Sequence, residues 1–129
     1  MRVFKSKEFA KFAQKVRLGD SLLCRAVEEI HAGIVDANLG GGVYKQRVRR
    51  AGSGKSGSFR TILLLRWEDV AIFVDGFRKS DKSNISSEEL KVFRMIAKNL
   101  LFHPESIAAA LEEEKLIEVI CEEEDTVRK

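Results

Sequence analysis

The sequence predicts an α+β domain in which helices pack on an antiparallel sheet of about four strands, and three observations predict it. Apolar residues recur with a helical period between residues 9 and 34, the period changes to two from Val43 onward, and the helical period returns after Ser86. A chain of 129 residues is one domain's worth, long enough to bury roughly two-thirds of its unfolded surface. Eight Phe, one Trp and a 44% hydrophobic share belong to a globular chain, and a single Pro argues against long irregular linkers. No apolar run approaches the roughly 18 residues of a membrane span, and no basic-then-apolar stretch opens the chain. These features predict a cytoplasmic protein with no membrane partner.

Each element has its own local reason. "RVFKS" (Arg2 to Ser6) suits an opening strand through Val3 and Phe4. In "KEFAKFAQKV", Phe9, Phe12, Ala13 and Val16 recur at i, i+3, i+4 and i+7 and share one helical face. Gly19-Asp20 interrupts that helix, Asp20 reads as the N-cap of a second, and Leu23, Val27, Ile30 and Ile34 form its stripe. The glycines of "ANLGGG" mark a turn. From Val43, side chains alternate, so Lys45, Arg47 and Arg49 share one strand face and Tyr44, Gln46 and Val48 the other. "AGSGKSG" suits a hairpin tip, "SFRTILLLRW" the return strand, Trp67-Glu68-Asp69 a tight turn and "VAIFVDGF" a third long strand. Ser86 and Glu89 form a capping box ahead of "LKVFRMIAKNLL", whose apolar face is Leu90, Phe93, Ala97, Leu100 and Leu101 and which stops at His103-Pro104. Ser106 to Glu114 reads as a short helix, "LIEVIC" as a last strand or a docking arm, and "EEEDTVRK" as a frayed tail. Cys24 and Cys121 lack metal-ligand spacing and a neighbouring His pair, and read as two reduced, packed thiols.

The net charge of +3 hides an asymmetry. Residues 1–80 carry sixteen Lys or Arg against eight Asp or Glu, and residues 81–129 carry seven against twelve, so the halves stand at +8 and −5. Between Lys45 and Arg66 lie seven cations (Lys45, Arg47, Arg49, Arg50, Lys55, Arg60, Arg66) and no acid. Such a stretch is either a solvated basic hairpin or a surface for an anion or nucleic acid. Gly54-Lys55-Ser56 fits half of a phosphate-binding P-loop, but the position five before Gly54 is Arg49, and a strand rather than a helix follows. The nucleotide reading fails on both counts.

Neither a Ser/His/Asp set, a Cys/His pair, a ligand cluster nor two poised carboxylates is visible. His31 and His103 read as structural, and Asp75 reads as an acid paired with a neighbouring Arg. Clustered Lys and Arg nevertheless suit one reaction. RNA carries its own nucleophile, the 2′-hydroxyl, beside the phosphate it attacks, so a protein needs only to align the two and stabilise the developing charge. A lysine crowded by arginines gives up its proton more readily and can act as base, while Arg stays protonated as the clamp. That chemistry calls for no metal and no cofactor.

Three segments carry a family resemblance: "MRVFKSKEFAKFA", "EIHAGIVDANLGGGVYKQRVRRAGSGKSGSFRTILLL" and "FVDGFRKSDKSNIS". Together, over about residues 1–102, the chain resembles the RelE/HigB-like toxins of type II toxin–antitoxin systems, with residues 103–129 as a C-terminal extension and acidic tail. The resemblance implies a compact α+β fold related to microbial ribonucleases and cleavage of mRNA on the ribosome. It also implies an antitoxin partner, often a helix-turn-helix protein that represses the operon. The basic positions of the family fall on Lys45, Arg47, Arg50, Lys55, Ser56, Arg60, Arg78 and Lys79. On this reading Lys45, Arg47, Lys55, Arg60 and Arg78 are candidate catalytic cations. Tyr44, Arg49, Arg50, Ser56, Arg66 and Lys79 are candidate nucleic-acid contacts. Many relatives have "GKSGGYRT" where this chain has "GKSGSFRT", so Phe59 lacks a phenolic hydroxyl. Gyrase-inhibiting relatives of the ParE type share the fold without cutting RNA, and fold alone does not separate the two activities.

Overall fold

The computed structural model describes residues 1–49, 58–78, 80 and 84–121. Ten elements follow in order: β1 (Arg2–Ser6), α1 (Lys7–Val16), α2 (Asp20–His31), β2 (Ala37–Gly40), β3 (Val43–Arg49), β4 (Ser58–Arg66), β5 (Val70–Phe77), α3 (Ser87–Phe102), α4 (Pro104–Glu112) and β6 (Leu116–Val119). The strands form one six-stranded sheet in the order β2-β3-β4-β5-β1-β6. Among the described residues only β1 with β5 is a parallel pair; the other neighbour of β1, β6, is antiparallel. The α+β class holds, and two short edge strands enlarge the sheet beyond the expected four. β2 occupies Ala37–Gly40, mostly residues assigned to no element in the sequence reading, just ahead of the glycine turn, and β6 takes the first of the two readings of "LIEVIC".

Each face of the sheet carries its own core. α1 and α2 cover Val3, Tyr44, Val48, Phe59, Leu63, Leu65, Ala71 and Phe73, whereas α3 and α4 cover Phe4, Val43, Ile62, Leu64, Ile72 and Phe77. Helix α1 starts where Ser6 Oγ accepts the Phe9 N–H at 3.0 Å, and it buries Phe9, Ala13 and Val16. Helix α2 departs from expectation at both ends. Its N-cap is Gly19, and Asp20 is already helical, its carboxylate accepting from Lys5 Nζ at 2.9 Å instead of capping. At the other end Gly33 takes φ +90 and the Ile34 N–H closes on the Glu29 carbonyl, so Ile34 leaves the stripe and stands 61% exposed. The Ser86/Glu89 capping box forms as read. Pro104 opens α4, where its missing N–H costs nothing.

Three consecutive glycines are needed because α3 lies against them. A Cβ on Gly42 would stand 2.8 Å from Leu101 Cδ1, and Gly42 has φ +86, so neither space nor backbone admits a side chain. Arg94 of α3 donates to the Leu39 carbonyl beside this turn.

The reading of two reduced thiols is overturned. Cys24 and Cys121 form a disulfide across 97 residues of sequence, with their Cα atoms 5.7 Å apart. Neither spacing nor flanking residues announce it, because only the completed sheet brings the end of β6 to α2. Among the described residues no helix is long and apolar enough to cross a membrane.

Candidate nucleic-acid interface

The burial pattern of β3 is the key to the site. On the α2 side Tyr44, Gln46 and Val48 are all buried, while on the other side Val43 is buried, Lys45 half-buried, and Arg47 and Arg49 exposed. The cover supplied by α3 therefore gives out along the strand, and three cations emerge in a row on the uncovered stretch. Residues two apart on one face lie about 6.6 Å apart along the strand.

Register joins β4 to this row. Lys45 pairs with Ile62, Arg47 with Arg60 and Arg49 with Ser58. Because the Leu65 N–H donates to the Gly42 carbonyl at 2.8 Å, alternation makes Arg47/Arg60 one of the closely spaced, non-hydrogen-bonded pairs, with Cα atoms about 4.5 Å apart. Like charges directly opposite are unfavourable in a sheet. Two arginines opposed in register, with Lys45 and Arg49 diagonal to Arg60, make a concentrated positive field to which a phosphate is the natural counter-charge. Phe77 pairs with Arg60 and is buried, giving the cations an apolar neighbour on the next strand. A bulge between Ile62 and Leu63 brings Asp75 opposite Ile62, and the Gly76 N–H donates to Asp75 Oδ1 at 2.9 Å.

The other side chains singled out from the sequence are placed differently. Arg78 is exposed at the same end of the sheet, its guanidinium carbon 5.8 Å from the centre of the Phe59 ring. Phe59 itself is 1% exposed, with its ring 6.0 Å from that of Phe12 on the α1 side. Tyr44 is not brought to the cations. It is 7% exposed on the opposite face, and its hydroxyl accepts from Trp67 Nε1 at 2.9 Å and from Asn38 Nδ2 at 3.4 Å. Arg66 lies six residues along β4 from Arg60, about 20 Å away. There it pairs with Asp69 at 3.2 Å, donates to the Leu101 carbonyl and stacks over Phe102. Arg50, Lys55, Ser56 and Lys79 lie outside the described residues. His31 sits edge-on to Trp67, with ring centres 5.5 Å apart, far from any catalytic partner.

One structural residue behind this site escaped the sequence reading. Gln46 is 3% exposed; its Nε2 donates to the Ile34 carbonyl at 2.8 Å and its Oε1 accepts the Asp36 N–H at 2.9 Å. The side-chain amide thereby serves as a pairing strand for residues 34–36 and fixes β3 against the α2–β2 connection. A lone amide between Tyr44 and Val48 on an apolar face is the available signal, since a buried amide needs backbone partners. A groove of about 440 Å³ runs beside β3, where Leu22, Ala26, Ile34 and Gln46 of the covered side meet Arg25, Arg47 and Arg49 at its rim. Among the described residues no three His, Cys, Asp or Glu side chains converge as a metal site requires.

A small α+β domain in which, among the described residues, one stretch of the sheet is left uncovered by helices and is lined with cations is the class defined by this geometry. Compared with known protein families, residues 1–119 match the RelE toxin of the RelE/RelB toxin–antitoxin system, and the chain belongs to that family. Membership makes it the toxin half of such a pair and implies a RelB-type antitoxin as its partner. Comparisons with curated proteins and with solved structures gave no match.

Proposed function

We propose that this toxin is a ribosome-dependent mRNA endoribonuclease whose β3–β4 cations promote attack of a 2′-hydroxyl on the adjacent phosphate. The observation that carries the reading is the Arg47/Arg60 pair, opposed across the strands on the uncovered face with Lys45 and Arg49 beside it. In the reaction the 2′-oxygen forms a bond to phosphorus as the bond to the 5′-oxygen breaks. The upstream fragment ends in a 2′,3′-cyclic phosphate and the downstream fragment in a 5′-hydroxyl. Arg47 and Arg60 hold the non-bridging oxygens, whose charge grows in the transition state. Lys45 or Lys55 accepts the 2′-hydroxyl proton, the leaving 5′-oxygen takes its proton from water, and Arg78 borders the site. Arg49, Arg50, Ser56 and Lys79 hold flanking phosphates, which positions the strand without reading its sequence. The ribosome supplies the mRNA in an extended, accessible form.

Cleavage of mRNA on purified ribosomes, with end mapping, tests the assignment. Arg60→Ala should lower the single-turnover rate about 10²- to 10³-fold, and more than it weakens binding. A 2′-deoxy nucleotide at the cut position should abolish cleavage and leave binding in place. If Arg60→Ala is as toxic as the parent, or if growth arrest occurs with transcripts intact and gyrase inhibited, the nuclease assignment is wrong.

A further inference from the structure

Helix α3 is apolar on two opposite sides. Toward the sheet it buries Ala97 and Leu101 and packs Leu90, Phe93 and Leu100 against the core. Away from the sheet, Val92 is 53% exposed, Met95 71%, Ile96 36% and Phe102 60%. At about 100° per residue, these four and Asn99 fall within an arc of about 120° centred opposite Ala97 and Leu101, and they run about 15 Å along the helix. Scattered exposed apolar residues are ordinary. A continuous stripe on a helix whose other side is already buried marks a second packing partner.

The charges bordering the stripe indicate which partner. Lys91 and Lys98, seven residues apart and both exposed, line one long edge. The opposite edge carries Glu89, Ile96 and Leu100, and the Glu89 carboxylate is already engaged by the Ser86 N–H of the helix cap. A second copy packed antiparallel across Met95 would set Lys91 against Lys98 of the other chain, and a parallel copy would set Lys98 along apolar side chains and Lys91 beside this engaged carboxylate. A helix bearing carboxylates at a seven-residue spacing neutralises both while its own apolar face covers Val92, Met95, Ile96 and Phe102. The stripe points away from the sheet, so a helix seated there leaves Arg47 and Arg60 untouched.

We propose that the outer face of α3 anchors the RelB-type antitoxin, which lays an acidic amphipathic helix along Val92, Met95, Ile96 and Phe102 with its carboxylates against Lys91 and Lys98. The proposal rests on membership in the toxin–antitoxin family and not on the nuclease assignment.

Calorimetric titration of the full-length chain with the purified RelB-type antitoxin of its own operon tests it. Val92→Glu with Met95→Glu should weaken binding about 100-fold, as expected for central apolar anchors. Lys91→Glu with Lys98→Glu should weaken binding about tenfold and remove most of its salt dependence. Arg60→Ala should bind like the parent. All substituted positions on α3 are exposed, and circular dichroism together with parental mRNA cleavage by the free variants establishes that they fold. Parental affinity in both α3 variants overturns the proposal. So does a parent chain that sediments as a dimer and becomes monomeric on Met95→Glu, because a second copy then owns the face. An inactive parent whose antitoxin affinity still falls in the α3 variants refutes the nuclease assignment and leaves the anchoring face standing.

Discussion

Gly76 of β5 faces α1, and a single methyl group there tests how tightly that helix is seated. Alanine would put its Cβ 2.4 and 2.6 Å from two ring carbons of Phe12 and 3.0 Å from Cε1 of Phe9. Carbon atoms sit best at about 3.5–4.0 Å, so the Phe12 ring must retreat by roughly 1 Å. Phe9 has no room to move, being 1% exposed and stacked on Phe73 with ring centres 5.4 Å apart. Overpacking of this kind costs about 1–3 kcal/mol, and the lower chain entropy of unfolded alanine returns about 0.4–1 kcal/mol. The expected net loss is about 1–2 kcal/mol, a factor of about 5–30 in the folding equilibrium. Urea unfolding followed by circular dichroism reads it as a lower midpoint at unchanged slope. Two of the three close contacts are with Phe12, so in a Phe12→Ala background the same methyl should cost at least about 1 kcal/mol less. An equal cost in both backgrounds, or a stabilised Gly76→Ala single variant, would refute the packing argument.

Three further outcomes follow from other contacts. Reducing the Cys24–Cys121 bond should lower stability by about 2–4 kcal/mol, because it releases a long loop in the unfolded chain; Cys24→Ser should match the reduced parent, and unfolding curves indifferent to reductant would contradict this. Thr61 is fully buried and its Oγ1 donates to the Gln46 carbonyl at 2.7 Å, so Thr61→Val should cost about 1 kcal/mol while Thr61→Ser keeps the bond; a Val variant as stable as the parent would rule that out. The Arg2 guanidinium donates to both carboxylate oxygens of Glu118, at 3.0 and 2.9 Å, and this bond holds the Glu118 carboxyl below its usual range against a smaller opposing effect of burial. Its folded value lies below the unfolded one of about 4.3, so the stabilisation is complete above that pH and is lost as pH falls through the folded value. The pair is largely solvated and its contribution small; Glu118→Gln should remove this acid-sensitive part from a plot of unfolding free energy against pH, and a parallel curve would argue against it.

What the sequence made legible was whatever depends on nearby residues. The Phe9-Ala13-Val16 face, the Ser86/Glu89 box and the alternation along β3 and β4 are each written within a few positions. They place Lys45, Arg47 and Arg49 on one strand face from local pattern alone. Features that depend on distant segments stayed hidden. β6 finds its partner across the whole chain, with Val3 beside Val119, and the disulfide depends on that pairing. β2 is four residues, Ala37-Asn38-Leu39-Gly40, with no β-branched or aromatic side chain, and its strand character comes from pairing with β3 rather than from propensity. Alternation put Tyr44 on the face away from the cations, but nothing local indicated that Trp67 and Asn38 would claim its hydroxyl. Ile34 fits the stripe of α2 by spacing alone, and the turn at Gly33 removes it.

The position of β1 governs when this toxin can be completed. β1 lies between β5 and β6, two strands that come much later in the chain. The β3–β4–β5 meander can close among near neighbours as it emerges, but β1 must wait for Val70 onward to gain one edge and for residues 116–119 to gain the other. Closing such distant contacts is the slow part of folding, since chain entropy is lost before the contacts compensate. The nascent chain can thus close its β3–β4–β5 meander while its sheet stays unfinished until β6 has been made. Assembly order gives an antitoxin already present in the cell an interval in which to meet the toxin before it is whole.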